Sequence, residues 1–196
     1  MGLHKLIKLK EEKEIKMKKF VTLLMVLLLV FSIGLTGCGG DTGAVDEPDM
    51  DMEETTMVQV DSVQGISFLL PSDLELQENN NYANMETGEN VAIATAPVDG
   101  TSMTEYTEED IMAIYEPNYD NPVIEDYAYG LDINGNAALM SVLSLTTPGG
   151  NDIILTLVIV SDGTTDYFIN YAYGADDLDG SLATNIDESI ASITIQ

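Results

Sequence analysis

Most side chains that carry acid–base or nucleophilic catalysis are missing from the greater part of this sequence. The chain has 196 residues, with a single cysteine, Cys38, and a single histidine, His4. All seven cationic residues are lysines that precede residue 20. From Cys38 onward the sequence therefore excludes a Ser-His-Asp or Cys-His nucleophile, a lysine Schiff base and an arginine clamp on phosphate.

Carboxylates are the reactive groups that remain. A pair of Asp or Glu side chains can hydrolyse glycosides, and clustered carboxylate oxygens can bind hard cations such as calcium. Asp176, Asp177 and Asp179 form the densest cluster, and DGTTD at 162–166 forms a second. Such residues also favour helix starts and hairpin turns. We interpret the clusters in that way and predict no metal or cofactor, with calcium as the alternative.

The charge distribution restricts the partners of the chain. The formal net charge is −27, and all but three of the 34 acidic residues follow Cys38. Such a surface repels nucleic acids, which need Lys and Arg to displace their counterions. We therefore predict a cationic protein, peptide or divalent ion as the partner. Adaptation that keeps the domain soluble in high salt is the alternative.

The N-terminal segment has the pattern of an export signal. Three lysines at 16–19 precede an apolar run at 20–31 that only Thr22 interrupts. This order is a charged region followed by a hydrophobic region. The run is shorter than the roughly 20 residues that a membrane-spanning helix needs, and a retained membrane anchor is the alternative.

Leu35, Thr36, Gly37 and Cys38 close this segment and resemble the lipobox of bacterial lipoproteins in residue type and order. The resemblance implies that a signal peptidase recognises the three residues before Cys38 and that the Cys38 thiol carries a lipid. Two or more acyl chains anchor a protein stably. We predict a leader at 1–37, with Met17 as an alternative start, and a protein on the extracytoplasmic face of the cell membrane.

Composition divides the rest of the chain into two parts. Residues 38–59 are acidic and poor in bulky apolar side chains, which predicts a flexible tether. Residues 60–196 are predicted to form one globular domain. A lone cysteine cannot form an intramolecular disulfide, so the hydrophobic core must hold this domain together.

Apolar patterning predicts a domain built mainly from strands. The predicted strands are 66–71, 91–98, 123–132, 136–146, 153–160 and 166–173. Short turns, including the Asn134-Gly135 pair, make the last four strands an antiparallel meander. The almost continuously apolar strand at 153–160 is predicted to lie in mid-sheet, with helices covering both faces.

Two helices are predicted beside these strands. The first follows the capping-box pair Thr107 and Asp110 and ends before Pro117. The last carries an apolar stripe after an Asp-rich start; its members are Leu178, Leu182, Ile186, Ile190 and Ile193.

The order of these elements resembles the PsbP-like fold, which occurs in a photosystem II extrinsic subunit and in many bacterial lipoproteins. The segments that carry the resemblance are QGISFLLPSDLEL at 64–76, NGNAALMSVLSL at 134–145, DYFINYAY at 166–173 and the closing IDESIASITI at 186–195. It implies an α+β domain in which helices sandwich a mainly antiparallel sheet. None of these segments is a catalytic motif.

Tyrosines provide a further candidate binding feature. Tyr127 and Tyr129 alternate onto one face of their strand, as do Tyr167, Tyr171 and Tyr173 on theirs. We interpret them as residues that pack beneath helices, with a ligand platform as the alternative. The sequence thus predicts a non-enzymatic, lipid-anchored binding or accessory module. The alternatives are a carboxylate-dependent hydrolase of envelope polymers and a divalent-cation-binding surface protein.

Overall fold

The computed structural model describes residues 55–61, 65–77 and 80–196. The predicted leader, the lipobox with Cys38 and most of the predicted tether lie outside the described residues. The strands are β1 Met57–Asp61, β2 Ile66–Pro71, β3 Glu75–Leu76, β4 Asn81–Ala83, β5 Asn90–Pro97, β6 Asp120–Ile133, β7 Asn136–Thr146, β8 Asp152–Ser161, β9 Thr165–Gly174 and β10 Thr194–Ile195. The helices are α1 Glu108–Tyr115 and α2 Ser181–Ala191, and Met103–Glu105 form a 3₁₀ turn. Among these residues, no helix is long and apolar enough to span a membrane.

Seven of the strands form one antiparallel sheet in the order β3-β4-β5-β9-β8-β7-β6. The predicted meander of four strands is confirmed, since β6, β7, β8 and β9 are consecutive neighbours. Asn134 and Gly135 both have positive φ (51° and 85°), which a tight hairpin turn between β6 and β7 requires.

The strand β8 lies between β7 and β9 and is buried on both faces, as its apolar sequence predicts. Leu155 and Ile159 pack into a first core, together with Ile111, Ile114 and other residues of α1. Val158 packs into a second core on the opposite face. Side chains alternate along a strand, so β8 contributes to both cores.

Helices provide only part of the cover that the sequence predicts. The second core is closed by α2 and by a separate three-stranded sheet in the order β1-β2-β10. In that sheet Ile66, Phe68 and Leu70 of β2 are fully buried. The prediction that helices cover both faces is therefore wrong for this part of the second face, where the short strands β1 and β10 went unrecognised.

Both helices occur where expected, but the start of α2 differs from the prediction. The capping box of Thr107 and Asp110 is present, and α1 ends at Tyr115. In contrast, α2 begins at Ser181 after Gly180, which makes no side-chain cap, and its first turn contains no acidic residue. Leu178 is consequently outside the helix and 62% exposed.

Strand β1 begins inside the segment predicted to be a tether. Met57 pairs with Pro71 and Asp61 with Ser67, so 57–59 are ordered against β2. The regular structure therefore starts three residues before the predicted domain boundary at 60.

Candidate functional site

Glu89 is a fully buried carboxylate that caps α2 from a distant part of the chain. Its Oε1 accepts a hydrogen bond from the backbone N–H of Leu182 at 2.8 Å, and its Oε2 accepts one from the Thr87 hydroxyl at 3.1 Å. The N-terminus of a helix has unsatisfied N–H groups and a partial positive charge. Glu89 therefore supplies the negative cap that Gly180 lacks.

A second carboxylate meets Glu89 at the hydroxyl of Ser181. The Ser181 Oγ lies 2.8 and 2.9 Å from the two carboxylate oxygens of Asp73 and 3.1 Å from Oε2 of Glu89. The Asn84 side-chain amide also donates to Asp73, at 3.1 Å. A hydroxyl carries one hydrogen and can donate to one acceptor at a time. Asp73 and Glu89 thus share one donor.

Asp166 has a similar role at the opposite end of the sheet. It is fully buried and accepts hydrogen bonds from the Ser102 hydroxyl at 2.7 Å and from the Met103 N–H at 2.8 Å. These donors belong to the start of the 3₁₀ turn. Asp166 therefore fastens this turn to β9.

The two buried carboxylates are stabilised in the same way, without a cationic side chain. A buried charge needs a compensating partner, usually a cationic side chain. The chain has no Lys, Arg or His after Lys19, so Glu89 and Asp166 use backbone N–H groups and hydroxyls instead. Both carboxylates thus connect distant parts of the fold, Glu89 to α2 and Asp166 to the 3₁₀ turn.

A cleft of about 580 Å³ lies where β8 begins and β9 ends. Its polar side chains are those of Thr87, Asn90, Asn151, Asp152, Tyr173 and Asp176. The Thr146 hydroxyl donates to the Asp152 carboxylate at 2.7 Å. A cleft with carboxylates, amides and a phenol, and no cation, suits a cationic or a polyhydroxylated ligand.

The five tyrosines of interest differ in whether they pack beneath a helix or stay exposed as a ligand platform would require. Tyr171 is fully buried beneath α2, and the Ser189 hydroxyl donates to its hydroxyl oxygen at 3.1 Å. Packing beneath a helix is therefore confirmed for Tyr171, while Tyr167 and Tyr173 pack on the same core, which α2 and the β1-β2-β10 sheet cover together. Tyr127 is partly buried against the first core, whereas Tyr129 is 73% exposed. Only the second pair remains available as a platform.

The predicted acidic clusters form turns. Within the described residues, no three Asp, Glu, His or Cys side chains come together in a group that could hold a metal ion. Asp176, Asp177 and Asp179 precede Gly180, so the interpretation of these acids as the first turn of a helix is wrong in position. The actual cap, Glu89, comes from before β5 and is identified by its contact alone.

The second cluster, at 162–166, contains the hairpin turn between β8 and β9 at 162–164, as interpreted from sequence, whereas Asp166 lies buried in β9. The Asp162 Oδ1 accepts hydrogen bonds from the hydroxyl and N–H of Thr164 and from the N–H of Thr165, each at 2.7 Å. These hydrogen bonds lower the pKa of Asp162, and the bond from the Thr164 hydroxyl has the largest effect.

Comparison with known proteins identifies the fold. No protein-family model matches the chain, and no curated protein matches it. The chain is similar to the solution structure of cyanobacterial PsbP (CyanoP) from Synechocystis sp. PCC 6803, with a TM-score of 0.53 and 11% identity over 83% of this chain and 100% of that one. It is also similar to a mutant of the protein Mog1, with a TM-score of 0.51 and 11% identity over 71% of this chain and 96% of that one.

These similarities place the described residues in the class of antiparallel-sheet α+β domains with few helices. Within that class the domain has a PsbP-like fold, as the sequence resemblance implies. At 11% identity the similarity concerns the fold alone.

Proposed function

We propose that this chain is a lipid-anchored, extracytoplasmic binding or accessory module, without enzymatic activity, whose acidic domain binds a cationic protein or peptide. The proposal rests on a difference between the buried and the exposed carboxylates. The buried ones accept hydrogen bonds within the domain, whereas the exposed ones have no cationic side chain there to pair with. Glu89 and Asp166 accept hydrogen bonds from N–H groups and hydroxyls within the domain. The exposed carboxylates have no Lys, Arg or His within the domain to pair with. A cationic partner is their natural complement.

Crosslinking in intact cells tests the partner. We expect a basic protein or peptide to be captured by the wild-type chain and to dissociate as ionic strength rises, because the attraction between surface charges is screened. A captured partner that stays bound at high salt and carries no excess of Lys or Arg would contradict the charge-based proposal.

The anchor is supported by the order of the leader residues up to Cys38. A Cys38→Ser variant removes the thiol that would carry the lipid, and we expect it to leave the membrane fraction and to lose the mass of the acyl chains. Thr42→Ser, four residues further on, is the matched control and should remain lipidated. Undiminished membrane retention of the Cys38→Ser variant would refute the lipid anchor.

A carboxylate-dependent hydrolase is the second candidate, because Asp152 and Asp176 both line the cleft. Glycoside hydrolysis needs two carboxylates held on either side of the scissile bond. The wild-type chain and an Asp152→Asn variant can be compared for release of reducing sugars from purified envelope polymers. Release by the wild type that the variant lacks would establish the hydrolase and overturn the non-enzymatic proposal.

A further inference from the structure

The exposed tyrosine pair lies on the edge strand of the large sheet. The rings of Tyr127 and Tyr129 on β6 have their centroids 5.9 Å apart and an interplanar angle of 30°. Tyr129 is 73% exposed, although an aromatic ring normally gains free energy by burial. An aromatic surface of this kind is costly to leave in water and marks a candidate contact site.

Tyr127 provides a fixed base for this pair. Its hydroxyl donates to the backbone carbonyl of Tyr106, and its ring packs against the first core. A hydrogen bond and core packing therefore hold in place the ring beside Tyr129. A preorganised surface loses less conformational entropy on binding than a flexible one.

Two acidic residues of α1 lie near Tyr127. Burial raises the pKa of Tyr127, and the charges of Glu108 and Asp110, together with the neighbouring Tyr129, raise it further. Asp110 is engaged in the capping box with Thr107, whereas Glu108 lies exposed in the first turn. The negative potential at the rings is thus produced by carboxylates that no cation of this domain balances.

The edge of β6 favours recognition by side chains over addition of a strand. β6 is the last strand of the seven-stranded sheet. Its pairing with β7 is interrupted at three places, between Asp120 and Val123, between Ile124 and Asp126, and between Ala128 and Leu131. Bulges twist an edge and shorten the runs that another strand can pair with. A partner therefore finds side chains here, and the aromatic pair is the most distinctive.

We propose that Tyr127, Tyr129 and Glu108 form a docking surface for a Lys or Arg side chain of a cationic peptide. The cation lies against the exposed face of Tyr129, where the ring quadrupole attracts it, and Glu108 adds a charge-assisted contact. This inference rests on the proposed function and specifies which surface of the acidic domain the cationic partner uses.

Binding of a hexalysine peptide to the full chain in detergent tests the surface. We expect Tyr129→Leu to weaken binding about two- to fivefold, because leucine keeps apolar bulk but has no π face, and Tyr129→Phe to bind within about twofold of the wild type. Glu108→Gln should weaken binding and reduce its dependence on salt. Leu178→Ala alters a side chain that is also exposed, at 62%, and serves as the control without effect.

The outcomes separate the two proposals. If the wild type binds hexalysine and Tyr129→Leu binds it equally well, the docking surface is overturned while the cationic partner stands. If the wild type fails to bind hexalysine at low salt, both are overturned. The melting temperature of each variant should equal that of the wild type. Weaker binding then results from the altered surface and not from a change in the fold.

Discussion

The carboxylate of Glu89 and the backbone N–H of Leu182 are joined by a 2.8 Å hydrogen bond across 93 residues of sequence. This bond connects the start of β5 to the N-terminus of α2. It places a full negative charge at the positive end of a helix whose own N-cap, Gly180, offers no side-chain acceptor. The positive end of the helix thus stabilises this buried carboxylate, a role that a lysine or an arginine has in other proteins.

Removing this cap should destabilise the domain. We expect Glu89→Ala to lower the free energy of unfolding by about 2–3 kcal/mol, because the Leu182 N–H and the neighbouring hydroxyls lose their acceptor in a buried place. Glu89→Gln keeps one acceptor and loses the charge, and should cost about 1 kcal/mol. Urea denaturation of the full chain measures both. Asp177→Ala changes a carboxylate near the same helix end, and a loss there equal to that of Glu89→Ala would contradict the specific role of Glu89.

The bond network of Asp166 should control the 3₁₀ turn locally. We expect Asp166→Ala to lower stability by about 1–3 kcal/mol and to speed hydrogen exchange at the Met103 N–H, which loses its acceptor. Ser102→Ala removes only the hydroxyl donor and leaves the Met103 N–H, so it should have the smaller effect. Unchanged exchange at Met103 in Asp166→Ala would show that this carboxylate does not hold the turn.

Buried tyrosines should make the domain sensitive to alkali. Burial raises the pKa of Tyr115, Tyr119 and Tyr171 well above the ordinary value of 10.0. These side chains stay protonated in the folded state while their unfolded counterparts ionise, so stability is complete below about pH 10 and decreases as pH rises above it. Unfolding free energies measured from pH 8 upward should show this decrease.

Tyr171→Phe isolates one contribution to that pH dependence. The variant loses the hydrogen bond with Ser189 and about 0.5–1.5 kcal/mol at neutral pH. Its stability should then decrease less steeply above pH 10 than that of the wild type. A parallel decrease in both proteins would mean that Tyr171 ionises as readily when folded as when unfolded.

Calcium and sodium at matched ionic strength should give equal melting temperatures. In the described part of the chain, no three Asp, Glu, His or Cys side chains come together in a group that could hold a metal ion, and we therefore expect no stabilisation specific to calcium. Raising ionic strength with either salt should raise the melting temperature, because screening relieves repulsion among the carboxylates. A higher melting temperature in calcium alone would establish a specific divalent-cation site.

Periodic apolar patterning predicted the five longest strands of the large sheet, β5 to β9, whereas β3 and β4, with two and three residues, are too short to show a pattern. The strand predicted at 136–146 agrees with β7 in both bounds. The strands β1 and β10 escaped prediction, since β1 has five residues, none of them fully buried, and β10 has only two residues. Their pairing depends on β2, which no local pattern reveals. Ile193, predicted to lie in the last helix, is fully buried beyond its end for the same reason.

The carboxylates show where sequence reasoning stops. Among the many Asp and Glu residues, Glu89 and Asp166 differ from the rest only in burial and in contacts made across many residues. The one available signal was Gly180, a helix N-cap without an acceptor of its own, which calls for an acceptor from elsewhere. The tyrosines show the same limit. Their alternation along a strand predicted which of them share a face of the sheet, but not which face a helix covers.

Strand β2 joins the two ends of the described domain. β2 lies between β1 and β10, and Ser67 and Ile66 pair with Thr194 and Ile195. Ser67 and Thr194 are 127 residues apart in sequence. Contacts between residues so distant in sequence form slowly, because the entropy of loop closure is lost before the contacts stabilise the chain. The small sheet is therefore complete only when distant parts of the domain have met.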